Sequence, residues 1–178
     1  MKKFFLLILI IAVANIASAQ VKYMVTKANV AFKIKNMGIG TGGTIGGIQA
    51  DIDFSKDKPE TSTITATADV NTINTDNDLR DSHLKGDGFF DVAKYPKITM
   101  RSVAIKHKSG NNYLGTFNVT IKDKTKQIAV PFTFIVNGAV AEFKGSFKLQ
   151  RTDFGVGDSS LVLGNDVTVD IDIQTISS

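Results

Sequence analysis

The sequence predicts an all-β domain, an antiparallel barrel of about eight strands carrying one short helical excursion. Three observations support this. Apolar and polar residues alternate with a period of two along nearly all of the chain after residue 20, the mark of strands with one buried and one solvated face. Turn-forming residues separate the alternating runs. A single segment, residues 75–91, breaks the period.

In chain order, Val30, Phe32 and Ile34 share one face of the first run, against Ala31, Lys33 and Lys35. Residues 44–54 read as one strand, with Ile48, Ala50, Ile52 and Phe54 alternating with Gln49, Asp51 and Asp53. Ile64, Ala66, Ala68 and Val70 follow, and the opposite face is threonine-rich, as suits a solvated β surface. Later runs place Ile98 and Met100, then Tyr113, Phe117, Val119 and Ile121, on one side. Ile128, Val130, Phe132 and Phe134 come next, then Phe143, Phe147 and Leu149. The last run sets Val167, Val169, Ile171 and Ile173 against Asp166, Thr168, Asp170 and Asp172. Ser109-Gly110-Asn111, Lys122-Asp123-Lys124 and Asn137-Gly138 supply hairpin turns. In the exceptional segment Asp76, Asn77 and Asp78 offer N-caps for a short helix, with Leu79 and Leu84 expected to face inward.

An antiparallel sheet of this many strands removes its exposed edges by closing on itself, and closure creates an interior. Eight-stranded barrels can be packed solid or can hold a guest. Twelve Phe and no Trp supply apolar bulk without indole donors, while Ala50, Ala66, Ala68 and Gly145 thin the inner face. A hollow interior is therefore expected. Strands of about ten residues at about 3.3 Å each, tilted by about 40°, would enclose a tunnel about 25 Å tall.

The first nineteen residues read as a cleavable secretory leader. Lys2 and Lys3 precede an apolar run from Phe4 to Val13, and Ala17-Ser18-Ala19 supplies the small residues of a cleavage site. The run is too short to span a bilayer, which takes about 20 residues, and no cysteine follows it to carry a lipid anchor. Residues 20–178 would then form one exported domain. The chain has no cysteine at all, which excludes disulfides, thiol catalysis and thiolate metal sites. The formal charge of +4 falls to about +2 without the two leader lysines, and basic residues are interspersed with acidic ones, so no nucleic-acid partner is expected.

Candidate chemistry is sparse. Gly38, Gly40 and Gly43 spell a dinucleotide-binding pattern, but a strand rather than a helix follows, so they read as a hairpin connection at the barrel rim. Asn74, Asp76 and Asp78 imitate the start of a calcium loop, yet Leu79 stands in place of its glycine and Lys85 in place of its final glutamate. No metal ligand set and no catalytic residue is assigned. The one chemically rich cluster is Arg80, Asp81 and His83, to which Arg151 and Asp153 are candidate additions. It reads either as a recognition point for a polar or phosphorylated head group, since guanidinium matches phosphate oxygens, or as a network tying the helix to the barrel wall. A hydrolase using this cluster at the rim is the competing enzymatic reading.

Several groups of residues carry a family resemblance. They are Asn71-Thr72-Ile73-Asn74-Thr75; Leu79-Arg80-Asp81-Ser82-His83-Leu84-Lys85; Phe89-Phe90-Asp91 with Lys94-Tyr95-Pro96-Lys97-Ile98; and, farther on, residues 115–126 and 151–157. Together they resemble the signature of the YceI-like family, in the family's order and across essentially the whole domain. The resemblance implies a lipocalin-like extended barrel, periplasmic in Gram-negative bacteria, that binds polyisoprenoid lipids such as isoprenoid quinones or prenyl phosphates.

The expectation is thus a binding protein for lipid storage, transfer or envelope stress protection, with a bound polyisoprenoid and no other cofactor. Phe32, Ile34, Ile52, Phe54, Ile64, Ala66, Phe89, Phe90, Ile98, Met100, Phe117, Val119, Phe132, Phe134, Phe143 and Phe147 are the candidate ligand contacts. Membrane contact would be transient, for lipid exchange, and a homodimer is compatible with the sequence. A ligand of about 40 carbons, at about 0.3 kcal/mol per heavy atom, would gain about 12 kcal/mol, near nanomolar affinity.

Overall fold

A computed structural model describes residues 20–178. The leader expected over residues 1–19 lies outside the described residues. The alternating runs become nine strands: β1 (Val21–Asn36), β2 (Ile39–Thr44), β3 (Gln49–Phe54), β4 (Thr63–Asp69), β5 (Lys97–Ser109), β6 (Asn112–Ile121), β7 (Lys124–Asn137), β8 (Val140–Gln150) and β9 (Leu163–Ser177). One helix, α1 (Asp78–Lys85), lies within the segment that breaks the period. From β3 onward each strand is antiparallel to the next, and β9 returns to β1 to close the barrel.

Nine strands make eight staves. β1 pairs with β2 over Ala31–Asn36 and with β3 over Val21–Tyr23, with Ala31 opposite Thr44 and Val21 opposite Phe54. β2 and β3 are therefore two halves of one stave. The single strand expected over residues 44–54 is broken because the chain between the halves turns to other partners. Gly46 N–H donates to Thr72 Oγ1 at 2.7 Å, and Asp69 N–H donates to Gly46 O at 3.1 Å. Gly47 adopts φ +61, and a Cβ there would sit 2.7 Å from Asp69 Cβ, so this detour requires glycine.

The barrel has two unlike ends. At one lie the β7–β8 and β5–β6 hairpins, with Gly138 (φ +64) and Gly110 (φ +54) in left-handed turns, and the connection from β3 to β4. There Tyr23, Phe54, Tyr113, Phe132, Phe134 and Phe143 form an aromatic cluster, packed mainly edge-to-face and tilted. Phe54 is central to it, with ring centroids 4.6 Å from Phe134, 5.2 Å from Tyr113 and 5.5 Å from Phe143. At the other end lie the β1–β2 turn, the β6–β7 turn and the two long connections, 70–96 with α1 and 151–162. This second end is open.

The glycines of the apparent dinucleotide pattern have a packing explanation. Thr44 N–H donates to Asn74 O at 2.8 Å and Asn74 N–H returns to Thr44 O at 3.0 Å, which brings the 70–96 connection against β2. A Cβ on Gly43 would lie 2.5 Å from Asn74 O and 2.8 Å from both Phe32 Cζ and Thr75 Cγ2, whereas one on Gly40 would meet nothing within 4 Å. Gly43→Ala should cost about 1–3 kcal/mol in urea unfolding, and Gly40→Ala should stay within about 0.5 kcal/mol of the parent.

Candidate functional site

Alternate inward residues of every stave enclose a cavity of about 530 Å³ beneath the open end. Its wall is almost wholly apolar. It is lined along β1 from Val30 to Asn36 and along β9 from Leu163 to Ile173. Six and ten residue steps at about 3.3 Å, with a tilt near 40°, put its depth at about 15–25 Å.

The cavity exists because side chains on this half are too small to fill it. Ala50, Ala66, Ala68 and Gly145 all lie on its wall, and Ala66 faces Ala50 on β3 and Met100 on β5. Of the expected contacts, Phe32, Ile34, Ile52, Ile64, Ala66, Phe89, Phe90, Ile98, Met100, Phe117, Val119, Phe132, Phe143 and Phe147 line it. Phe54 and Phe134 do not. They are inward, at 1% and 2% exposure, but belong to the aromatic plug with Tyr23 and Tyr113. The open tunnel expected from strand length is accordingly a blind pocket, since aromatic volume closes the floor.

The mouth is polar on one side. Asn36, Thr41, Thr75, Asn77, Arg80 and His83 all contribute to it. Asn77 caps α1, its side chain accepting from Arg80 N–H at 2.9 Å, so the helix start sets the position of Arg80. Thr75 is the hub of the polar network. Arg80 Nε donates to Thr75 Oγ1 at 2.8 Å and its Nη2 donates to Thr75 O at 2.6 Å. Asp81, buried, accepts from Thr75 N–H at 3.0 Å and from the Thr75 hydroxyl. The hydroxyl thus passes a hydrogen bond from guanidinium to carboxylate.

Arg80 uses two of its five N–H donors on Thr75, and among the described residues no carboxylate lies within ion-pair distance of it. His83 is exposed at the mouth, and no ion pair joins it to Asp81 among the described residues. Arg151 and Asp153 do not join the cluster. Arg151 is buried and donates to Gly164 O (2.9 Å), Val156 O (2.8 Å), Asp158 O (2.8 Å) and Leu163 O (3.3 Å), fastening the 151–162 connection beside the mouth. Burial pushes its guanidinium pKa down, and Asp158 opposes that. Asp153 is exposed in a 3-10 turn and does not line the cavity.

Sequence reasoning missed Thr75, Asn77, Asn36 and Thr41 as mouth residues. A signal for Thr75 does exist in the sequence: with Asn77 as the cap of a helix containing Arg80, the residue two places before it faces that helix's first turn. Leu79, expected to face inward, is instead 69% exposed at the mouth. The first turn of α1 turns Arg80 and Asp81 toward Thr75, which leaves their neighbour Leu79 toward solvent.

Fold and site together define a closed, lipocalin-like antiparallel barrel with a blind apolar pocket under a partly polar mouth. The chain belongs to the YceI-like family, whose domain model matches residues 22–175. A UPF0312 protein of Pseudomonas syringae pv. tomato is 32% identical over 151 residues, covering 79% of each chain. Among solved structures, BcnA of Burkholderia cenocepacia is similar with a TM-score of 0.81 and 27% identity, covering 85% of this chain and 98% of its own. A polyisoprenoid binding domain from Saccharophagus degradans shares the fold at a TM-score of 0.63 and 13% identity, covering 90% of this chain and all of that one.

The Thr75 hub makes a stability prediction. Asp81→Ala would leave a buried Thr75 N–H unpaired and should cost about 1–3 kcal/mol in urea unfolding, and Asp81→Asn, which keeps an acceptor, should cost less.

Proposed function

We propose that this protein binds a long apolar lipid of the polyisoprenoid class, a quinone or a prenyl phosphate, with the tail in the barrel and the polar end at the Arg80 side of the mouth. The observation that carries the reading is a blind cavity of about 530 Å³ walled by apolar side chains, with a guanidinium at its rim that has no carboxylate partner among the described residues. That volume is in the range of small-molecule sites, about 300–1,000 Å³. Removal of the tail from water supplies the driving force, and no directional chemistry is needed inside the wall.

Family membership supports the same reading, and so does the polyisoprenoid binding ascribed to the Saccharophagus domain. The leader-like first nineteen residues support export, and with it a periplasmic role in lipid transfer, storage or stress protection. Binding is favoured over hydrolysis by the site geometry. Arg80 and Asp81 are directed at Thr75, and Asp81 is committed to Thr75 rather than to orienting His83.

Organic extraction of the purified protein followed by mass spectrometry tests the assignment, with an isoprenoid as the expected species and a lipid-free, solvent-filled barrel as the result that defeats it. Adjacent positions of β4 give a sharper comparison. Ala66 lines the cavity and Thr65 faces solvent. Ala66→Leu should sharply reduce lipid recovery while leaving stability unchanged or raised by about 0.5–2 kcal/mol; Thr65→Leu should leave recovery intact.

A further inference from the structure

Large apolar side chains are exposed at the mouth on segments far apart in sequence. Met37 and Ile39 stand at the β1–β2 turn with 74% and 72% exposure, Leu79 on α1 with 69%, and Leu161 and Val162 on the 151–162 connection with 107% and 53%. The segments are stitched together. Met37 N–H donates to Val162 O at 2.7 Å, the Thr44–Asn74 bridge holds β2 to the connection that leads into α1, and Arg151 fastens the third segment from below. Asn36, Thr41, Leu79 and Leu163, which flank or belong to this group, line the cavity opening.

A second observation concerns Met37 alone. It has φ +52, followed by Gly38 at φ +80, the left-handed pair of a tight hairpin turn. Asn, Asp or Gly is the favoured first residue of such a turn, and a long apolar side chain there is strained as well as exposed. Nothing in the packing of the barrel requires methionine at this place, and strain at an exposed position points to function.

We infer that this apolar rim is a docking surface for a lipid bilayer, so that the mouth opens directly into the membrane from which the ligand is drawn. The inference rests on the pocket being a lipid site. Two features favour a bilayer over a protein partner. The exposed groups are Met, Ile, Leu and Val only, with none among them of the Trp, Tyr or Arg anchors that carry most protein interfaces. They also sit on separate loop tips around an opening, a shape that a fluid acyl layer accommodates without complementarity. The nearby charges are mixed, with Lys35, Arg80 and Lys85 beside Asp76, Asp78, Asp158 and Asp166, so docking is driven by apolar insertion rather than by anionic lipid.

The chain has no Trp, so an introduced one reports alone. Leu161→Trp should shift its emission to the blue on adding phosphatidylcholine vesicles, with little further change when phosphatidylglycerol is included, and Val136→Trp at the closed end should not shift. In flotation with the same vesicles, Met37→Ser combined with Leu161→Ser should weaken partitioning by about tenfold or more, and Val136→Ser should not. A rim variant that floats like the parent overturns the proposal. So does a Leu161→Trp shift that follows protein concentration without vesicles, which would make the rim a contact between copies. Lipid extraction separates the two readings: a lipid-loaded barrel whose rim does not partition defeats only the docking surface, whereas an empty barrel whose rim does partition defeats only the pocket assignment.

Discussion

Everything in this molecule depends on the pairing of β9 with β1. That ladder runs from Tyr23 opposite Ser177 to Asn36 opposite Leu163, with irregularities at Val25–Lys27 and Ile34–Asn36 that let a long strand bend around the closure. Without it the sheet would have two open edges and no inside. With it, every second residue of each stave faces a common axis, and the volume of those side chains alone decides whether the axis is filled.

The two halves of the barrel answer that question in opposite ways. At the closed end Tyr23, Phe54, Tyr113, Phe134 and Phe143 occupy the axis, and Tyr113 is held there at 2% exposure although its hydroxyl finds no partner among the described residues. Burial raises the pKa of that phenol, and the aromatic contacts offset the cost of burying it. Toward the mouth four inward positions, Ala50, Ala66, Ala68 and Gly145, carry small residues instead. An empty apolar cavity forfeits packing contacts that a folded chain would otherwise make, so this half is less stable than an equally long filled one. A bound apolar chain would replace the missing contacts, which would link the occupancy of the pocket to the stability of the barrel.

The period-two pattern made the staves legible wherever one face is apolar and the other polar, and the thinning by Ala50, Ala66 and Ala68 correctly implied space. What escaped notice lacked that contrast. β2, Ile39-Gly40-Thr41-Gly42-Gly43-Thr44, has almost no side chains to alternate, and the break between β2 and β3 depends on Asp69 and Thr72, which are remote in sequence. The floor could not be placed either. Phe54 and Phe132 are both inward aromatics, and only the stagger of the closed sheet sets Phe132 against the cavity while Phe54 lies wholly within the plug. Thr75, the partner that Arg80 and Asp81 share, lies only five and six residues before them, so its omission owes nothing to the closure of the sheet.

The mouth shows how those levels connect. A short helix capped by Asn77 presents Arg80 and Asp81 to Thr75, and the Thr44–Asn74 bridge next to Thr75 fixes that residue against β2, where only glycine at position 43 permits the approach. One chain of contacts therefore runs from the β1–β2 hairpin through Thr75 to α1, while Arg151 holds the opposite connection by backbone carbonyls alone. Arg80, with three of its five N–H donors not spent on Thr75, stands at an opening otherwise built for hydrocarbon. That combination would suit a ligand whose tail enters first and whose polar end stops at the rim, because the blind floor leaves no second way out.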